Sequence, residues 1–138
     1  MNYSKTNATG ESVQVEQSLV KAVSTTSALE VNDSGSIITV ATDAIVVTLP
    51  ATKAGVEYTI INTGANANNI ITISPQAADG IAGTITLAGT VVVRAGTVNV
   101  DLVNTKASSK VGDSVTIVGT GVAGVSAWII KGSTGIWA

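Results

Sequence analysis

From Ala28 onward, apolar and polar side chains alternate in short runs that stop at Gly, Pro or Asn. Ile45, Val47 and Leu49 alternate with Val46 and Thr48 up to Pro50, a residue with no N–H to give to a ladder. Val56, Tyr58 and Ile60 face one way, Glu57 and Thr59 the other. A period of two is that of a strand with one buried face, whereas a helix needs about 3.6. The stretch Asn62-Thr63-Gly64-Ala65-Asn66-Ala67-Asn68-Asn69 reads as a loop, because Asn and Gly accept left-handed backbone and Asn side chains close turns locally. The chain returns through Ile71 and Ile73 to Pro75. Further strands are predicted at Ile85 to Leu87, Val91 to Val93, Val98-Asn99-Val100-Asp101-Leu102, Val115 to Val118 and Ala127 to Ile130. Short strands with turn signals at roughly 8–12-residue intervals predict an all-β fold, a compact antiparallel β-sandwich or barrel-like domain over residues 26–138. Alternation specifies faces and leaves strand order open.

Residues 1–25 differ: they are polar, hold no glycine after Gly10 and show no sustained alternation. They are predicted to form an N-terminal arm, extended or ordered on a partner. Val15, Leu19 and Val23 recur at i, i+4 and i+8 and would share one face of a helix over Glu11 to Val23. Val13 and Val15 equally suit a strand, so both local forms stay open. The side chains with which such an arm would anchor itself are Tyr3, Val13, Val15, Leu19 and Val23.

The chain has no histidine and no cysteine, so the groups that usually carry proton transfer, metal binding or nucleophilic attack near neutral pH are missing. We expect no enzyme, no cofactor and no metal. Its 138 residues suit one domain. Charged residues make up only 12%, about half the usual share, and mean hydropathy is +0.45. A surface so short of charge predicts apolar area that meets other subunits or a partner. The net charge of −2 and seven scattered cations form no basic stripe, which argues against nucleic acid. Every apolar run is interrupted well before the roughly 18 residues of a membrane helix. Met1 to Asn7 carry no apolar signal region, so synthesis and assembly in a cytosol are expected.

Three motifs need weighing. Gly119-Thr120-Gly121-Val122-Ala123-Gly124 spells a dinucleotide fingerprint, but Val125 to Ile130 reads as strand where that motif opens a helix; a hairpin loop is the expectation. Asp43, Asp79, Asp101 and Asp113, with Asn66, Asn68 and Asn69, are conceivable oxygen ligands, yet no dense acidic loop appears and turn carboxylates are the simpler reading. Trp128 and Trp137 would suit either a sugar platform or a core otherwise built from small aliphatics. A rhythm at Gly83, Gly89 and Gly96, each followed by Thr and a β-branched residue, hints at a solenoid rung but equally describes glycine turns that open strands.

Leu49-Pro50-Ala51-Thr52-Lys53-Ala54-Gly55-Val56-Glu57-Tyr58-Thr59-Ile60-Ile61-Asn62, then Ile71-Thr72-Ile73-Ser74-Pro75 and Asp79-Gly80-Ile81-Ala82-Gly83, follow one another in order. Asp113 to Val118, Trp128 and Gly135-Ile136-Trp137 extend the pattern. It resembles a β-module of bacteriophage virion proteins, the capsid decoration (auxiliary capsid) and head-fibre type, over residues 37–138. The resemblance implies a structural protein of the virion, a homo-oligomer with trimers favoured, whose partner is the major capsid protein. It implies no catalytic residue. The alternatives are a head- or tail-fibre module that binds a receptor or glycan, and a free carbohydrate-binding module that uses the tryptophans.

Overall fold

The computed structural model describes the backbone of residues 2–6, 12–16, 19–87 and 90–138, and the side chains of residues 19–85 and 91–138. The strands are β1 (Asn2–Thr6), β2 (Ser12–Glu16), β3 (Val20–Val23), β4 (Ser27–Ala28), β5 (Ile37–Val40), β6 (Ile45–Thr48) and β7 (Glu57–Asn62). They continue as β8 (Ile71–Ser74), β9 (Asp79–Leu87), β10 (Thr90–Arg94), β11 (Leu102–Asn104), β12 (Ser114–Gly119) and β13 (Gly124–Thr134). Two short 3₁₀ turns, Val31–Asp33 and Lys106–Ser108, are the only helical segments among the described residues. The fold is all-β.

Strands β1 and β2 pair as an antiparallel hairpin. The others form a seven-stranded sheet in the order β10-β9-β13-β12-β7-β5-β3 and a four-stranded sheet in the order β11-β8-β6-β4. Both sheets are mixed, which corrects the antiparallel expectation, and neither closes into a barrel. Three successive strand pairs, β3 with β4, β5 with β6 and β7 with β8, each put their first strand in the large sheet and their second in the small one. Like strands are parallel neighbours: Val20 pairs with Ile37 and Ile37 with Thr59, while Ser27 pairs with Val47 and Val47 with Ile73. The chain therefore winds in two-strand rungs from residue 20 to residue 74. A fourth pair runs the other way, with β11 antiparallel to β8 and β12 antiparallel to β7.

The alternation works as the sequence implies. Burial switches residue by residue along β5, β6, β7, β8 and β12. The inward positions from both sheets, among them Ile38, Val40, Tyr58, Ile60, Ile117 and Trp128 of the large sheet and Val47, Ile71, Ile73 and Leu102 of the small one, join a single hydrophobic cluster. At its centre the Tyr58 and Trp128 rings lie 5.8 Å apart at 33°. Trp128 Nε1 has no hydrogen-bond partner there, a cost of about 1–3 kcal/mol that the ring's large buried area offsets. On the outer face of the same strands, Thr59 and Thr116 stand opposite and their hydroxyls lie 2.9 Å apart.

Two sequence expectations need correction. Val20–Val23 is a strand of the large sheet, so the sheet starts ahead of residue 26, and neither Ser12–Glu16 nor Val20–Val23 is helical. Val98 to Asp101 is an exposed loop, with Asn99 at φ +59° and its N–H given to Asp79 O at 2.9 Å; the strand begins at Leu102. Of the glycine rhythm, Gly83 lies in β9 and Gly96 in the loop after β10, and Gly89 is outside the described residues.

The phenol of Tyr58 donates to Glu30 O at 2.6 Å. Burial, then the nearby Asp33 charge, pushes its pKa up to about 12. A raised acid pKa means the fold favours the protonated phenol. That contribution is complete below the unfolded tyrosine value of about 10 and is lost as pH rises toward 12. Denaturant unfolding between pH 9 and pH 12 should show this decline, and Tyr58→Phe should flatten it while lowering stability at pH 7 by about 0.5–1.5 kcal/mol through the lost hydrogen bond, since Glu30 O keeps the Asp33 N–H.

Candidate functional site

The rungs divide the loops into two ends of unlike chemistry. Strands β6 and β8 start, and β5, β7 and β11 finish, at one end, which is rich in hydrogen bonds. Asn62, Asn69, Asn104, Ser109 and Asp113 are all buried there. Asn62 Nδ2 donates to Asn104 Oδ1 at 2.9 Å, and Asn104 Nδ2 donates to Asp113 Oδ2 at 2.9 Å and to Ile136 O at 2.8 Å. Asn62 Oδ1 accepts from Gly64 N at 2.9 Å and Asn69 Nδ2 at 3.3 Å, and Asp113 Oδ2 accepts also from Lys110 N at 2.9 Å. Asp43 caps the same end: it pairs with Lys106 and accepts from the N–H groups of Ile70 and Ala44. The Lys106 hydrogen bond, then the Ile70 amide, holds its carboxyl below the usual aspartate range.

This polar end uses up its own groups. Asp43 and Asp113 are committed to turns, and Asn69 to the network, while Asn66 Oδ1 accepts from Val111 N at 2.9 Å. Asp79 is likewise held, accepting from Thr52 N at 2.9 Å. Among the described residues no three acidic side chains converge as a metal site would require. Both tryptophans are fully buried, so neither indole is a platform for a sugar. The 120–123 segment joins antiparallel β12 and β13 as a hairpin loop, not the strand-to-helix turn of a dinucleotide site.

At the opposite end most loops are built from small and apolar residues, while the 29–36 loop carries Glu30 and Asp33. Four loops, 50–55, 75–79, 95–101 and 120–123, meet above β9, β12 and β13. They are tied through Thr52, whose hydroxyl donates to Ala127 O at 2.5 Å and accepts from Gly121 N at 3.1 Å. Gly124 N donates to Ala78 O at 2.9 Å, and Gly55 N to Gly119 O at 3.0 Å. The parallel register of β13 on β9 slips here: Gly124 faces Asp79, but Trp128 faces Ile81. The surplus residues of β13 bulge outward and carry the Val125 carbonyl against Gly80 and Gly96. A Cβ on Gly80 would sit 2.7 Å from Val125 O, and one on Gly96 2.2 Å from it, with Gly96 also at φ +78°. Backbone packs on backbone, and the side chains go outward. Val98, Val100, Val122 and Val125 are exposed by 41%, 43%, 70% and 51%. Ala51, Ala54, Ala77, Ala78 and Ala95 are exposed around them, and Lys53 and Asp101 are the exposed charges of these loops.

The hollow beside this surface, lined by Arg94, Ala95, Gly96, Thr97 and Val100, measures about 150 Å³, below the roughly 300 Å³ of a small-molecule site. The Arg94 guanidinium does not serve a ligand: Nε donates to Ile81 O at 2.9 Å and Nη2 to Asp101 O at 2.7 Å, which anchors the 95–101 loop. What this end presents is a firm, low-charge apolar surface.

The anchoring residues read from the sequence scatter. Val23 is 5% exposed and belongs to the core, because β3 lies against β5; it is not free for a partner. Leu19 is 44% exposed at the head of β3. Tyr3 and Val15 face each other in the β1–β2 hairpin and Val13 faces Lys5, but their side chains lie outside the described residues. Sequence reasoning missed the apolar end because alternation read Val98 and Val100 as a strand and Val125 as the start of another, while Val122 fell in a hairpin loop; only the fold exposes the four at one end. No protein-family model matches the chain, and no curated protein matches it either.

Gly96→Ala should lower stability by about 2–4 kcal/mol in chemical denaturation, since the new methyl meets the Val125 carbonyl in a left-handed backbone. Gly112→Ala, also at positive φ but with open space around its Cβ position, should cost only about 1–2 kcal/mol.

Proposed function

We propose that this protein is a structural component of a bacteriophage particle, a capsid decoration protein that seats its apolar end on the head shell and stabilises it. The observation that carries this reading is the surface of Val98, Val100, Val122 and Val125 on a hydrogen-bonded frame, with Lys53 and Asp101 its exposed charges. An apolar area of this kind on a chain so poor in charge fits a partner that covers it. The sequence resemblance to virion β-modules names the class of partner, the major capsid protein. We further take the two sheets to stack face to face as a sandwich, which is supported by their inner residues joining one cluster.

The mechanism is linkage. A protein that binds only the mature lattice lowers the free energy of that lattice by its binding energy, and needs no chemistry to do so. A preformed surface suits this task, because little conformational entropy is lost on docking.

Density-purified particles should contain about one copy per shell subunit by quantitative mass spectrometry. A few copies per particle would favour a fibre component, and absence would overturn the reading. The double variant Val98→Asp with Val122→Asp, at exposed loop positions, should fold with unchanged thermal stability yet lose particle association at least tenfold. Undiminished association would show that another face meets the shell.

A further inference from the structure

We propose that β10 pairs antiparallel with β10 of a second copy of this chain, about a two-fold axis through Val92. The strand ends the large sheet, with β9 on one side and no described strand on the other. Val91, Val92 and Val93 are exposed by 65%, 40% and 75%. Neighbouring residues of a strand point to opposite faces, so both faces of β10 are bare as well as its edge. Its pairing with β9 overhangs the sheet: Val92 faces Ile85 and Val91 faces Thr86, while the β13 register on β9 ends at Gly83. A second strand therefore has room to approach.

Open edges of this kind are usually blunted by charge, by brevity or by a covering segment. The other edges show such devices. The outer side of β11 is covered by the C-terminal residues, with Val103 N donating to Ala138 O at 2.7 Å and Ala138 N to Val103 O at 2.9 Å. Strand β4 is two residues long, and β3 carries Lys21 in an ion pair with Asp33. The one charge of β10, Arg94, is turned into its own loop, where it donates to Ile81 O, Val100 O and Asp101 O. It does not guard the edge.

A second copy fits because the strand complements itself. Rotation about Val92 sets Val92 against Val92 of the other copy, Val91 against Val93, and Thr90 against Arg94. No like charges face each other, and β-branched side chains pack well against neighbours on a pleated surface. Such an isologous contact closes on itself, whereas pairing of β10 with β3 of another copy would be heterologous and, unless it formed a ring, open-ended. Five residues make a small contact, so association should be weak and concentration-dependent. This goes beyond the particle-attachment reading and stands or falls without it.

The absence of cysteine makes the test direct. Opposed residues across an antiparallel pair have Cα atoms about 4.5–5.5 Å apart, within disulfide range. Val92→Cys should therefore cross-link under mild oxidation at least tenfold faster than Val111→Cys, although Val111, on another surface, is the more exposed of the two at 60% against 40%. In sedimentation equilibrium the unmodified chain should move from monomer to dimer as concentration rises. Val92→Lys and Val92→Glu should each stay monomeric, and their equimolar mixture should dimerise. Equal cross-linking of the two cysteine variants, a monomer at every concentration, or an oligomer whose mass is unchanged by Val92→Lys would overturn the proposal.

Discussion

The amide of Asn104 is the interaction on which the rest of the structure depends. The rungs up to β8 run in parallel, and the chain then reverses to lay β11 and β12 antiparallel on them. Asn104 closes that reversal. Its side chain joins Asn62 at the end of β7, Asp113 at the start of β12 and the Ile136 carbonyl beside the terminal strand-like segment. Each bond contributes only about 1 kcal/mol net, but an unmade one in a dry interior costs about 1–3 kcal/mol. The network therefore discriminates more than it stabilises. A register slip of either strand would leave several buried donors and acceptors unpaired at once, a penalty that aliphatic contacts between Val and Ile cannot impose.

With one end locked by polar side chains, the other is free to be small. The bulge of β13, the glycines beneath it and the Thr52 hydroxyl fix the apolar loops by backbone contact. A few side chains, Thr52, Asp79 and Arg94 among them, tie the loops, and the valines and alanines are left on the surface. The division of labour explains how a chain with 12% charged residues keeps a defined fold while leaving valines in water. Three of the cations are held in ion pairs, Lys21 with Asp33, Lys106 with Asp43 and Lys131 with Glu57.

The faces of the strands were legible from alternation, and Tyr58, Ile60, Ile71, Ile73, Val115 and Ile117 are buried as that pattern requires. The direction of pairing was not. Parallel strands are commonly covered on both faces and then read as unbroken apolar runs. Here the outer positions of β5 and β7, Ile37, Thr39, Glu57, Thr59 and Ile61, remain half-exposed, so parallel strands carry the signature of antiparallel ones. The rungs leave no repeat to detect, because the interval from Val20 to its partner Ile37 differs from that between Ile37 and Thr59. Asn62 reads as the start of a loop and nothing in the pattern singles out Asn104; only the fold brings them together across 42 positions. The apolar end was legible as a shortage of charge and not as a place.

The same physics separates what this chain can do from where it does it. A reactive site announces itself through residue types that are scarce and chemically special, and this chain lacks both histidine and cysteine. A contact surface uses the same Val, Ala, Thr and Gly that build strands and turns, so composition alone does not distinguish it from the core. The distinction arises only when the fold sorts those residues by exposure. Val115 and Val125 are interchangeable in sequence terms, yet the first is fully buried and the second half bare, because a register slip between Gly124 and Trp128 lifts the second out of the sheet. Exposure of this kind is written in register rather than in residue identity.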